Sequence, residues 1–305
     1  MVRIYYLLLL STGLLISLSA ALNDKQNLRS YTVTSPISYS NNSVIVYGGQ
    51  GTHNHTVKNT VLSLKNGFPH LKIFTLDLEQ ITTHNISSAL LLVMPSGPKE
   101  EFSEVAPTLV PILVSYIREG GKYIGVNSGA AIFCQTLDFN NELINPPVAI
   151  YNGTCKGPIA PHNINDMSGS RAVQVELIGE GAPQFPSFYS HGSSYFLDLE
   201  SSANCSPLAN FMLPEGVSEP HLTFSKEGSK YPIIMKCSFG KGLVILTFLH
   251  IENNKFFLSK QTKKHPSDKH LKEVTECLSD MNTHTKSLYF LFSQIGISKP
   301  ASGKK

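Results

Sequence analysis

The chain has 305 residues and no tryptophan, an absence that excludes nothing by itself. Other absences exclude more. No Cys-x-x-Cys pair and no Cys/His cluster offers a zinc site. No Gly-x-Gly-x-x-Gly run follows a strand pattern and no P-loop occurs, so the usual signatures of a dinucleotide or nucleotide cofactor are missing. The formal charge is only +3, without the basic field that nucleic-acid binders carry. After Leu18 no apolar run approaches the ~20 residues that span a bilayer, and there is no internal repeat. The expectation is a protein without cofactor, metal or nucleic-acid partner, and without an integral membrane span once its leader is removed.

That leader opens the chain. Arg3 precedes an apolar run from Ile4 to Leu18, and Ser19-Ala20-Ala21 supplies small residues at its exit. The pattern is that of a cleaved secretory signal peptide over residues 1–21, followed by a polar, flexible lead-in over residues 22–42. The expected location is secreted, extracellular or in the secretory-pathway lumen. Sequons at Asn41, Asn54, Asn85, Asn152 and Asn204 fit that route and are expected on surface loops. An oxidising compartment permits disulfides, and the five cysteines leave at least one thiol unpaired. Cys237 shares a strand face with Ile233 and Met235, which reads as core, so it is expected to be free. The other four, Cys134, Cys155, Cys205 and Cys277, then allow two bridges in three connectivities.

The mature chain begins as alternating strands and helices. SVIVYGG (Ser43–Gly49) reads as a buried strand. A helix follows, with Val57, Val61 and Leu64 on one face, ended by Gly67 and Pro69. LKIFTL and ALLLVMP are further strands, the second apolar on both faces as a central parallel strand is. Ser103 and Glu104 mark the start of a helix to Arg118, with Pro111 deep enough to kink it. KYIGV (Lys122–Val126) is the next strand. This is an α/β pattern, doubly wound and flavodoxin-like, with a mostly parallel sheet and helices on both faces. The middle of the chain adds a β-rich region, with a hairpin at Phe239–Gly242. Residues 253–305 form a Lys-rich, partly helical extension, helical around Leu271–Leu278 and Thr285–Ile295.

Four segments then fall at strand ends: Tyr47-Gly48-Gly49, Met94-Pro95-Ser96-Gly97, Gly125-Val126-Asn127-Ser128-Gly129 and Leu249-His250-Ile251-Glu252. In a doubly wound sheet such ends meet at one crevice. Their order resembles the class I glutamine amidotransferase-like superfamily. It is closer still to the N-terminal domain of eukaryotic biotin-protein ligases and its stand-alone relatives. IVYGGQGT, LLLVMPSGP, GGKYIGVNSGAAIF, YNGTCKGP, SGSRAVQVEL, FYSHGSSYF and CSFGKGLVILTFLHIE carry the likeness over Ser43–Glu252.

The resemblance implies a Cys-His-Glu triad. His250 matches the base, Glu252 the residue that orients it, and Gly48, Gly49, Ser96, Gly97 and Gly129 the oxyanion and crevice positions. Asn127 stands where the family carries its nucleophilic cysteine. A carboxamide is not a nucleophile at neutral pH, so the expected site is non-catalytic and binds an unidentified small molecule or protein. The alternative is an amidase or hydrolase in which Ser128 or water replaces the thiol. Cys134, nearly two helical turns past the bend, reads as core or disulfide. His191 in a β-turn reads as surface, Arg171 as a strand-edge residue, and His53 and His55 as flanks of a sequon. The lysines after residue 255 read as a solvated face, with acidic glycans or lipid headgroups as the alternative partner. The biotin ligase catalytic domain, with its glycine-rich, Lys-containing adenylate site, is not seen after Glu252.

Overall fold

The computed structural model describes residues 39–159, 169–212 and 231–301. The expected leader and most of the lead-in lie outside them. The first half of the described chain runs β1 (Ser43–Tyr47), α1 (Asn54–Gly67), β2 (Lys72–Leu76), α2 (Leu78–Thr83), β3 (Leu91–Met94), α3 (Lys99–Arg118), β4 (Lys122–Val126) and α4 (Ser128–Ala131). A run of strands follows: β5 (Cys134–Phe139), β6 (Glu142–Ile144), β7 (Tyr151–Gly157), β8 (Arg171–Leu177), β9 (Ser187–Ser190), β10 (Tyr195–Phe196), β11 (Cys205–Phe211), β12 (Tyr231–Phe239) and β13 (Gly242–Thr247). Three helices close the chain: α5 (Lys255–Lys264), α6 (Lys269–Cys277) and α7 (Met281–Ser293).

One sheet orders its strands β2-β1-β3-β4-β13-β12-β11-β8-β9. From β2 to β13 the neighbours are parallel. That half has the flavodoxin-like order, with β13 in the fifth place although eight strands separate it from β4. β1 and β3 are buried along their whole length, as their unbroken apolar runs require. The chain steps one way from β1 to β2 and the other way from β3 to β4, so right-handed crossovers set α1 and α3 on opposite faces. Beyond β13 the sheet continues antiparallel through β12, β11, β8 and β9. The Phe239–Gly242 hairpin joins β12 to β13 as expected. A second sheet, β10-β7-β5-β6, forms the added β-rich region.

Several local expectations change. The long helix begins at Lys99, after Pro98, rather than at Ser103, and runs through Pro107 and Pro111. Pro98 sits with φ −63° and ψ 133°, an extended backbone from which the first helical turn starts. α4 lasts four residues, so Cys134 opens β5 instead of lying along a helix. Cys237 is not free. It is directly opposite Cys205 in the β11–β12 register and bonded to it, and Cys134 is bonded to Cys155. Facing positions on paired antiparallel strands lie close enough for a bridge, whereas Cys277, exposed near the end of α6, is the free thiol.

The C-terminal helices are docked. Leu258, Leu271, Val274 and Leu278 form a buried cluster with Tyr189 of β9. Phe292 of α7 stacks on Phe68 at the end of α1, with ring centroids 4.6 Å apart. α5, which has little apolar periodicity, is capped by Asn254 and buries only Phe257 and Leu258. α7 also grips the turn after β13: His284 Nε2 donates to the Ile251 carbonyl at 3.0 Å. Burial pushes the His284 imidazole down to about 4, although the Ile251 carbonyl and Glu252 act against the shift.

Two outcomes follow. Thiol titration of the native protein should find one reactive group per chain, lost in Cys277→Ser. Because the folded pKa of His284 lies below its unfolded value of ~6.5, the unfolded chain binds more protons between these limits. The contribution is therefore present above pH ~6.5 and is lost as pH falls towards 4, by up to roughly 3 kcal/mol. In urea unfolding at pH 7 and pH 4.5, His284→Gln should show a smaller acid loss than wild type. His250 titrates in both proteins and cancels from the comparison.

Candidate functional site

The site is built around one bend. Asn127, between β4 and α4, takes φ 51° and ψ −104°. Residues other than glycine rarely adopt positive φ, and such strain persists only where the surroundings enforce it. Here the Asn127 N–H donates to Thr247 O of β13 at 2.7 Å, while its carbonyl accepts from the Ala130 and Ala131 amides. The flanking glycines let the backbone fold that tightly. A Cβ on Gly125 would lie 2.3 Å from Gly129 O, and one on Gly129 would lie 2.5 Å from Met94 O.

The bend carries the Asn127 carboxamide to the imidazole of His250. Its Nδ2 lies 3.4 Å from His250 Nε2 and donates to the His191 carbonyl at 3.2 Å. On the other side of the ring, His250 Nδ1 is 2.9 Å from Glu252 Oε1. His250 and Glu252 are 6% and 3% exposed, while Asn127 is half-buried and roofs the ring. Burial alone would lower the imidazole pKa. The charge and hydrogen bond of Glu252, with the His191 carbonyl, outweigh it and raise the value above the ordinary range. The result is a carboxamide, an imidazole and a carboxylate in sequence, joined by contacts of 3.4 and 2.9 Å.

The turn from His250 to Asn254 is fixed from several sides. The His250 N–H donates to Tyr189 O of β9 at 2.9 Å. From α1, Ser63 Oγ donates to Glu252 O and Asn59 Nδ2 to Asn253 Oδ1. His284 holds Ile251 from α7. Among the described residues, Glu252 Oε2 is buried without a hydrogen-bond partner.

The remaining expected site residues divide. Ser128 Oγ accepts from the Gly97 amide at 2.8 Å and makes no hydrogen bond to His250 among the described residues. The Gly48 amide donates to Leu76 O, and Ser96 O accepts from the His53 amide and Thr56 Oγ1. The amides of Gly48 and Gly97 are thus already engaged. A Cβ on Gly49 would lie 2.7 Å from Tyr47 Oη, so close approach is what requires glycine there. Cys134, in its disulfide, has no thiol to offer. Arg171 Nη1 donates to Ser170 O and faces His270. His53 and His55 are exposed, with rings 5.2 Å apart. Both are held below the ordinary imidazole value, by burial of their surroundings first and then by neighbouring imidazoles, His250 among them. Four sequon asparagines, Asn41, Asn54, Asn85 and Asn152, are exposed, while Asn204 is half-buried. No group of three or more His, Cys, Asp or Glu that could hold a metal occurs among the described residues.

His191 is the member that the sequence reading undervalued. Its ring suggested a surface position, but its backbone carbonyl supplies the acceptor shared by Asn127 and His250. The only signal was its place in the glycine- and serine-rich SHGSS loop.

The family described as "Biotin-protein ligase, N terminal" matches residues 42–304. The biotin–protein ligase of Schizosaccharomyces pombe is 26% identical over 175 residues, 54% of this chain and 26% of the ligase. The chain thus spans about a quarter of that relative's length. An uncharacterized protein of Chlamydia muridarum is 26% identical over 231 residues, 72% of this chain and 83% of that protein. Among solved structures, a glutamine amidotransferase from Thermotoga maritima aligns with a TM-score of 0.49 and 9% identity, covering 84% of this chain and 99% of its own. With 42–304 matched, the chain belongs to the biotin-protein ligase N-terminal family.

Proposed function

We propose that this is a secreted, non-catalytic member of its family that binds a small ligand or partner at the crevice beside Asn127. The observation that carries this reading is the carboxamide of Asn127 on the strained bend, 3.4 Å from the base it would otherwise serve. The Asn127 carboxamide N–H is too weak an acid for an imidazole to deprotonate, and its nitrogen lone pair is delocalised into the carbonyl. Covalent catalysis also needs a group that can accept and release an acyl carbon, and a carboxamide does neither.

Two features support binding without turnover. Ser128 Oγ is directed to the Gly97 amide, which suits a tie between two loops better than a nucleophile. The Asn127 amide nitrogen lies 3.4 Å from His250 Nε2, the nitrogen at which a water would be activated. The S. pombe relative is a ligase, but the matched quarter does not bring its activity here. For location, two disulfides and the lack of a bilayer-length apolar helix among the described residues fit an extracellular protein.

Two measurements bear on the proposal. Wild type should show no turnover of glutamine or simple amides above background. Asn127→Cys should gain activity, by roughly several powers of ten if the rest of the machinery is intact, and His250→Ala in that background should abolish the gain. Wild-type amidase activity that His250→Ala removes would overturn the reading. In imidazole NMR titration, His250 should titrate above ~6.5 in wild type. It should fall below that value in Glu252→Gln, where desolvation is no longer opposed by a carboxylate.

A further inference from the structure

The five sequons are alike in sequence but not in structure. Asn204 Nδ2 donates to the Ile150 and Ser238 carbonyls, each at 3.0 Å. That nitrogen, the atom a glycan would be attached to, joins the β6–β7 loop to the end of β12. Asn85 is the opposite case. Its Oδ1 accepts from the Ser87 N–H at 3.1 Å and from Ser87 Oγ at 2.7 Å. Its Nδ2 makes no hydrogen bond among the described residues, and the side chain is exposed.

Asn85 also forms part of the wall of a groove of about 420 Å³ between the turn after α2 and the flank of α3. Ile81, Ile86 and Tyr116 contribute buried apolar side chains, and Pro111 and Ile112 line the other bank. The Tyr116 hydroxyl already donates to Ala89 O at 3.0 Å, so the ring rather than the phenol is available to an occupant. Thr82, His84, Ser87, Ser115 and Glu119 add polar groups, so the lining is mixed, as the hydroxyls and apolar ring face of a sugar require. The volume lies within the ~300–1,000 Å³ common for sites that hold small molecules.

We propose that Asn85 carries an N-linked glycan whose first N-acetylglucosamine residue occupies this groove, and that Asn204 remains unmodified. The inference rests on the secretory route proposed above. In the modification, Asn85 Nδ2 forms a bond to the anomeric carbon of a lipid-pyrophosphate-linked oligosaccharide. The anomeric C–O bond breaks, the pyrophosphate leaves with its electron pair, and the amide proton passes to a base of the host transferase. The tether selects the occupant, because a sugar fixed to the groove's own wall reaches it at high effective concentration.

The full chain should be produced in a eukaryotic secretory host and mapped by mass spectrometry of its glycopeptides. Asn85 should be occupied and Asn204 should not. Trimming the folded wild type to one N-acetylglucosamine should leave Tm unchanged, whereas complete enzymatic removal should lower it by about 2–4 °C. Removal leaves an aspartate whose carboxylate still accepts from Ser87, so the turn itself is retained. Asn85→Asp, which eliminates the sequon and keeps an acceptor for Ser87, should show the lower Tm from the start, and Asn41→Gln should not. Glycans on Asn41 or Asn152 with none on Asn85, a glycan on Asn204, or an unchanged Tm after complete removal would each overturn the inference while leaving secretion standing. Export with every sequon empty would overturn it too. Failure to be exported, with the leader retained, would overturn the secretory route as well.

Discussion

Everything at the site depends on one backbone conformation, the positive φ of Asn127. A residue in that region is strained by about 1–3 kcal/mol and must be held there. Two glycines admit the neighbouring backbone, β13 accepts the Asn127 N–H, and the first amides of α4 bind its carbonyl. The parallel pairing of β4 with β13 is therefore what makes the bend possible. It also brings the end of β13, with His250 and Glu252, beside the bend. Topology brings Asn127 and His250 together at the ends of adjacent strands, although they are 123 positions apart in the chain.

The chain between those two strands is not a passive insertion. It supplies β12, β11, β8 and β9, which extend the sheet beyond β13, and the His191 carbonyl, which completes the site. The bridge from Tyr189 to His250 ties that extension to the turn. The C-terminal helices then cover Tyr189 on one side and hold Ile251 on the other. The site is thus an intersection of the parallel half, the antiparallel extension and the terminal helices.

How much of this was legible depended on whether residue type or pairing carries the information. The apolar runs of β1, β3 and β4 identified buried parallel strands because burial on both faces leaves a mark in composition. The elbow and the His-x-Glu ending were legible because their residue types are unusual at strand ends. Cys237 was misread because a strand face alternating with Ile233 and Met235 looks the same whether the cysteine is core or bridged. Only the register with β11 distinguishes the two. α5 was missed because its residues lack helical apolar periodicity, and its cap and two anchors hold it. The role of His191 was hidden because it is carried by a backbone carbonyl, which no side-chain pattern reports.

The same packing gives the His250–Glu252 pair a structural role of its own. A buried imidazole beside a carboxylate is an ion pair or its tautomer, and deleting one partner leaves the other desolvated, at a cost of about 3–5 kcal/mol. Glu252 is further committed through its carbonyl to Ser63, and the adjoining residues to Asn59 and His284. None of these ties involves the side chain of Asn127. The amide donates to the His191 carbonyl, the acceptor it shares with His250 Nε2, and an alanine would remove that donor. A retained His-x-Glu sequence is consequently weak evidence for chemistry, because folding alone gives sufficient reason to keep it.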